Sequence, residues 1–547
     1  MKPPPIEESS DSILLIEPTL GLDVAHPAVN EKPGATPHSE NFIIRDGGLE
    51  PRPMLVPKPQ TNAQPVTFVT GGMEGVDVTG IRTPILSGLT QPFKFSGGAW
   101  SRLSYVPAFG VNAGPSSSPG QYWDMTQVYD ANSNQNLVVM ATPTHQQLYV
   151  HQLGSTTFST LTGAPQALYT TVFNSYLMAF NVYDPAGGLD VQRVQWNDRG
   201  SASSWTGGLS GFADLLDMHG QGTRIIPQEN RVLLFSEDEV WQGVSVAYPF
   251  IFDFEPLDRG VGCPYPWTVA NTPVGTMFLS KDWNVYLVSK FGGPARTMAP
   301  QVQKYIRDQI DHPERAWAVY DHTYNQYQLY FATKSGSGYP QQALYFDVPD
   351  FQYSPIFTQI GQGSWALQMF DKTAGQLSLT RGFEAQQSSG GTTWQMLKNA
   401  GVQWGDLTQT WGQLAGTSEG RAVIVGSSSG TAFTLDSSAT ADVGLSTQCV
   451  WQSSALFGYA PNKQKTMDRI RLDYAGDSSS SISLAASRNQ GATFDPDFAV
   501  NLPANSAMSE AVAHFYSAAR YPMFRVTSDG FRYRLFRFWL RCRVGGR

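Results

Sequence analysis

Cysteine is scarce and oddly counted: Cys263, Cys449 and Cys542 are all there is in 547 residues. Three thiols so far apart fit neither a disulfide framework nor a zinc site, and a reducing compartment of synthesis is the natural reading. Charge is scarce too. Asp, Glu, Lys and Arg make up 15% of the chain, against about 25% in ordinary soluble domains. The net charge of −8 argues against a tight, static hold on nucleic acid. No apolar run approaches the ~18 residues of a membrane-spanning helix. The opening Met1-Lys2-Pro3-Pro4-Pro5-Ile6-Glu7-Glu8 lacks the apolar stretch of a secretory signal. Phosphate-binding loops, Gly-x-Gly-x-x-Gly turns, His-Glu-x-x-His and Cys-x-x-Cys are missing as well. The sequence therefore predicts no enzyme, no cofactor and no metal site.

What is present is apolar and β-forming. Hydrophobic residues reach 41% and aromatics 12%, too many for a disordered chain. Residues 1–40 stand apart, with seven prolines from Pro3 to Pro37 and acids at seven positions. Such a segment is extended by composition. The short run Ile13-Leu14-Leu15-Ile16 is its candidate anchor, on its own body or, preferably, on a neighbouring subunit. Helical periodicity is confined to Met298–His312 and, less clearly, Ala507–Ala519.

From residue 41 onward, apolar strands alternate with polar turns. Val232-Leu233-Leu234-Phe235 turns over Ser236–Glu239 into Val240-Trp241, and Met277-Phe278-Leu279 turns over Lys281–Asn284 into Val285–Val288. Met140, Met178, Leu233, Phe278, Leu329, Leu367 and Val423 mark successive hairpins, spaced 38, 55, 45, 51, 38 and 56 residues apart. A period near 40–50 with several strands per unit is that of propeller blades, which bury sheet faces against one another in a ring. The expectation is an all-β protein: an extended arm over 1–40, a β-propeller of six to seven divergent blades over 41–444, and a C-terminal β-sandwich module over 445–547. A stacked array of sandwiches is the alternative. On this reading Trp196, Trp205, Trp241 and Trp283 are blade-packing residues.

Candidate chemistry is thin. His145 and His151, six apart, and His312 and His322 sit by turns, where solvated side chains are the simpler account. Glu237-Asp238-Glu239 share one polar turn, whereas glycoside hydrolysis needs two carboxyls at a set separation, one with a raised pKa. Asp184, Asp190 and Asp198 offer no better warrant. Ser487, Asn489, Gly491 and Thr493 form an Asp-box-like turn, with Asn489 for the usual Asp and Phe494 for the usual Trp. Such a box is foremost a folding device. The C-terminal arginines, including Arg532, Arg534, Arg541 and Arg543, leave three readings open. They are a solvated strand face, a surface for an acidic partner such as arm 1–40 of another copy, or a nucleic-acid patch. With Ile13 to Ile16 they are the candidate subunit and partner interface.

Four stretches resemble the nozzle, hub or stabilisation propellers that end short bacteriophage tails. They are Asn41-Phe42-Ile43-Ile44-Arg45-Asp46-Gly47-Gly48-Leu49 to Arg52-Pro53; Val194-Gln195-Trp196-Asn197-Asp198 to Ser204-Trp205; Ile225 to Trp241 with Phe254-Glu255-Pro256 and Gly260–Cys263; and Trp451-Gln452-Ser453 to Phe457-Gly458 and Lys463 to Ile470. The resemblance implies a virion protein made in the host bacterial cytoplasm. It implies a ring of about six copies that contacts adaptor or portal-side proteins and tail fibres or spikes. Such a ring retains double-stranded DNA and lets it pass at ejection. The rival expectation is a glycan- or receptor-binding tail propeller, including a sialidase-like hydrolase. A peptide-binding scaffold is a third.

Overall fold

The computed structural model describes all residues except 1–10, 28–33, 46, 59–65, 97, 107–113, 185–187, 247, 249, 349–362, 371–376, 387–420, 457–462, 530–531 and 545–547. The arm residues Pro3–Pro5, Glu7 and Glu8, and Asp46, Phe457, Gly458 and Arg547, fall outside the described residues.

Short antiparallel strands dominate because β-branched and aromatic residues alternate with polar ones between Gly, Asn and Asp turns. Seven sheets of at least four strands follow one another. Blade 1 runs from Gly71–Val76 to Ala99–Arg102, blade 2 from Asp124–Asp130 to Thr157–Thr160, and blade 3 from Gln166–Phe173 to Gly211–Asp214. Blade 4 runs from Gly222–Gln228 to Phe252–Asp258, blade 5 from Ala270–Thr272 to Arg296–Thr297, and blade 6 from Trp317–Asp321 to Trp365–Met369. Blade 7 takes Leu379–Gln386, Arg421–Ser427 and Ala432–Asp436, and its fourth strand is Met54–Pro57 from near the start of the chain. Phe433↔Pro57 through Asp436↔Met54 close the ring.

The first strand of each blade is innermost, and the ring is held by what lies between neighbours. Seven apolar clusters occupy the seven junctions. Trp196 and Trp241 lie in the cluster between blades 3 and 4, and Trp205 in that between blades 2 and 3. Trp283, half-buried in a turn at φ +66°, packs against the blade 5–6 cluster and stacks on Tyr265 at 5.6 Å. No blade buries both faces alone, so stability resides in these shared interfaces.

The hairpin spacing misplaced one marker. Leu329 and Leu367 are strands of the same blade, while blade 1, with the second strand Arg82–Ser87, carries none of the seven markers. The true gap between Leu329 and Val423 is one blade step lengthened by chain between strands.

The sandwich is not purely C-terminal. One sheet has the order Asn505–Ala519, Lys465–Gly476, Arg534–Val544, Gly48–Pro51, Phe42–Arg45, with Asp11–Ile16 also paired to Arg534–Val544. The other places Ser39–Glu40 beside Cys449–Gln452. Residues 42–51, expected in the propeller, therefore belong to the sandwich. The arm docks within its own chain, with Ile13↔Arg541 and Ile16↔Phe538 in register. Of the two dockings expected, the one on its own body is present: the edge of Arg534–Val544 is filled by a tethered strand at high local concentration. Ala507–Ala519 is a strand, not a helix. Ala511, Ala513, Ser517 and Ala519 are buried while Val512, His514 and Tyr516 point out, and this period of two against a 12-residue partner overrides alanine's helix propensity. The other expected helix is present as Gln303–Gln309.

One buried ion pair joins the two units. Arg52 sits between the sandwich hairpin and the closing strand of blade 7, and its guanidinium grips both oxygens of Asp442 with neither side chain exposed. Arg52 also donates to Asn41 Oδ1 at 3.2 Å and to the Pro53 carbonyl at 2.9 Å. Asp442 in turn accepts the Leu55 amide at 2.7 Å and the Thr447 hydroxyl at 3.0 Å. Burial alone would lower the Arg52 pKa, but the adjacent Asp442 carboxylate outweighs it and the net shift is upward.

Candidate functional site at the propeller axis

The inner strands converge on the axis, where propellers carry their channels. Here side chains of several blades meet around one indole. The segment Cys263-Pro264-Tyr265-Pro266-Trp267 links blades 4 and 5, and Pro266–Thr268 is a single 3₁₀ turn started by its proline. That turn sets the Trp267 ring among side chains of four blades. Arg381 of blade 7 lies over the indole at 3.9 Å and Arg224 of blade 4 at 5.1 Å. Tyr122, just before blade 2, and Tyr169 of blade 3 meet the same ring at 5.9 Å each.

Both arginines sit where an inner strand is interrupted. Each follows a threonine near the strand start, Thr223-Arg224 and Thr380-Arg381, and each marks a register shift in pairing with the second strand. A bulge of this kind turns a side chain out of the normal alternation, here toward the axis. Arg224 pairs with Asp124 Oδ1 at 2.5 Å, and Asp124 Oδ2 accepts the Thr170 amide at 2.8 Å. Arg381 donates to the Trp123 carbonyl and has no carboxylate partner among the described residues. Burial, then the charge of Arg224, push its guanidinium down to about 9, so it is still charged at neutral pH. Burial pushes the Tyr122 and Tyr169 hydroxyls above their usual range.

None of these axial residues was singled out from sequence, since they lie 40 to 260 positions apart. The one readable signal is the repeated Thr-Arg at the head of an inner strand, together with the rigid Pro-x-Pro-Trp segment.

The residues that were singled out lie elsewhere. In the arm strand, Leu14 and Ile16 pack inward while Ile13 and Leu15 face out, Ile13 with 67% of its surface exposed. The C-terminal arginines are largely neutralised within the chain. Arg541 makes a two-armed bond to Asp468 at 2.7 and 2.8 Å, with Arg543 3.7 Å from the same carboxylate. Arg534 holds Glu50 at 2.9 Å, and Arg537 meets Glu17 of the chain's own arm at 3.0 Å. Arg532 lines a groove of about 420 Å³ between sandwich and propeller, with Tyr324, Ser437 and Asp477. The Arg-rich strand is thus a laced sheet face, and the structure does not gather its four candidate arginines into one free basic patch.

The Asp-box-like turn closes a hairpin of the sandwich. The Ser487 hydroxyl oxygen accepts the Gly491 amide at 2.8 Å, Asn489 Oδ1 accepts the Thr493 amide at 2.8 Å, and Gly491 adopts φ +84°. Asn489 does the work of the missing Asp because only its carbonyl oxygen is used as acceptor, while its amide donates to Thr493 Oγ1 at 2.8 Å.

The acidic turn of blade 4 divides. Asp238 pairs with Lys281, whereas Glu239 is buried and takes bonds from His219 and from Trp241 Nε1, the latter at 2.7 Å. His145 bonds Asn181 at 2.9 Å, and His151 is buried against the Thr157 carbonyl at 2.8 Å. All three cysteines are buried and outside any disulfide. Two stretches spell Gly-x-Ser-x-Gly, the pattern of a hydrolase nucleophile turn. Residues 416–420 lie outside the described residues, and 426–430 is a hairpin turn between two strands of blade 7. A nucleophile elbow requires a strand leading into a helix. Among the described residues no cluster of three or more His, Cys, Asp or Glu could hold a metal ion, and no helix is long and apolar enough to cross a membrane.

No family model matches the chain, and no curated protein matches it. Solved structures resemble it distantly. The extracellular domain of a putative one-component system from B. thetaiotaomicron is 8% identical with a TM-score of 0.38, over 70% of this chain and 40% of that one. The exo-β-1,3-galactanase of Phanerochaete chrysosporium is 10% identical with a TM-score of 0.26, over 92% of this chain and all of that one. The WD40 domain of Neurospora crassa Pan2 is 7% identical with a TM-score of 0.31, over 70% and 94%.

Proposed function

We propose that this chain is a structural subunit of a short bacteriophage tail, one of about six copies forming the distal nozzle or hub ring. The ring retains the packaged genome and conducts it at ejection. The observation that carries the reading is the apolar rim of blades 3 and 4. There Phe212, Tyr248 and Phe250, the last two more than 70% exposed, flank a groove of about 300 Å³. Contiguous exposed aromatics of this kind mark an association surface. DNA would run through the lumen between subunits and not along the axis of each propeller, where Trp267 and its two arginines sit. The neutralised arginines and net acidic chain suit a wall past which phosphates slide.

The test is complementation. Particles lacking this protein should lose their DNA, and the purified chain should restore retention. Phe250→Asp should not restore it, although the isolated chain still folds. Retention without the protein would end the proposal.

A second reading keeps the phage context and makes the same groove a glycan platform, since sugar rings stack on exposed aromatics. Saturable binding of host surface polysaccharide that is lost in Tyr248→Ala would favour it.

A further inference from the structure

The axial cluster holds more positive charge than it balances. Two guanidiniums, Arg224 and Arg381, share one indole, and one carboxylate, Asp124, lies with them. That carboxylate is spent: one oxygen is on Arg224 and the other on the Thr170 amide. Three donors remain. Arg224 Nε is buried with no hydrogen-bond partner among the described residues. Arg381 gives one bond to the Trp123 carbonyl and keeps its other N–H groups, and the side chain is only partly covered. The Tyr169 hydroxyl, beside the same ring, makes no hydrogen bond among the described residues. A guanidinium carries five fixed donors, and a buried one left unmade, as Arg224 Nε is, costs stability, while the Arg381 charge has no carboxylate partner among the described residues. Stacking on Trp267 offsets the charge in part but accepts no hydrogen bond in the ring plane.

We propose that the propeller axis is a binding site for a small oxyanion, held by Arg381, Arg224 and Tyr169 beside Trp267. The oxyanion supplies the acceptors these donors lack and brings the local charge to balance. Because its three holders come from blades 7, 4 and 3, the anion also ties blade 7 to the adjacent blades 3 and 4 across the axis. This inference is independent of the assembly role.

The test uses the full chain and two probes, inorganic phosphate and acetate, each titrated against chloride at constant ionic strength. Thermal unfolding and titration calorimetry are the readouts. A bound anion raises the unfolding temperature saturably, by an amount on the order of a few degrees. Arg381→Gln should weaken the effect by about tenfold or more, as loss of a charge-assisted bond does. Tyr169→Phe, which removes one hydroxyl from a ring position already filled, should weaken it less but measurably. Should Arg381→Gln fail to fold, Tyr169→Phe carries the test alone. No saturable response to either probe, or a response unchanged in the variants, overturns the proposal.

Discussion

The Arg52–Asp442 pair offers the sharpest perturbation, because the pair is wholly buried and its main bonds are identified. Asp442→Ala removes the only counter-ion of Arg52 among the described residues and strands the guanidinium between sandwich and propeller. It also leaves the Leu55 amide and the Thr447 hydroxyl without their acceptor. Removing one partner of a buried pair destabilises by about 3–5 kcal/mol, most of it from the charge left behind. The Arg52 contacts to Asn41, Pro53, the Met369 carbonyl and the Phe370 ring compensate only in part, since none is charged. Replacing both partners by apolar residues, Arg52→Met with Asp442→Leu, removes the stranded charge. The double variant should therefore lie closer to wild type than Asp442→Ala does. Urea unfolding followed by tryptophan fluorescence and by circular dichroism gives the free energies, and reports whether sandwich and propeller still unfold together. The pair sits where the chain passes from one unit to the other, so Asp442→Ala should separate the two transitions. A loss below about 1 kcal/mol, or a double variant less stable than either single one, would refute the reasoning.

Other expectations follow from the same structure. Burial holds the Asp321 carboxyl up at about 7, with Glu384 adding to the shift. Between about pH 4, where the unfolded chain ionises, and pH 7 the folded state keeps a proton that the unfolded state has lost. Stability should fall as pH rises through that window, and Asp321→Asn should flatten the slope in pH-dependent unfolding. Trp267→Ala should destabilise by about 3–5 kcal/mol in chemical denaturation, through cavity and lost cation–π contacts. Ile16→Asp should cost several times as much stability as Ile13→Asp, because Ile16 is buried in the sandwich core and Ile13 is not. Gly491→Ala should cost about 1 kcal/mol or more, since its φ of +84° disfavours a side chain and Gln452 lies against the position a Cβ would take. Thermal unfolding of each variant checks these last two.

The architecture was largely legible in the sequence because blade hairpins are local: Leu234 and Trp241 pair within ten residues, and their alternation is printed in the chain. The sandwich strand Lys465–Gly476 announced itself by alternation too. The closing strand Met54–Pro57 and the arm strand Asp11–Ile16 were not assignable, because their partners lie some 380 and 530 residues away and any free edge would satisfy the same pattern. Asn505–Ala519 misled through its alanines, whose helix preference is weaker than the pull of a long paired neighbour. The axial residues were hidden for a different reason. Arg224 and Arg381 look like ordinary strand arginines until two bulges aim them at one indole. The C-terminal arginines erred the other way: their run was visible, but Asp468, Glu50 and Glu17, which answer them, come from distant strands.

Where the protein sits on the particle tests the central claim most directly. Antibody against the purified chain, bound to intact short-tailed particles and viewed by negative-stain electron microscopy, should mark the tail tip on its axis. Label confined to lateral fibres or spikes, or no label on particles that contain their full set of proteins, would contradict the account.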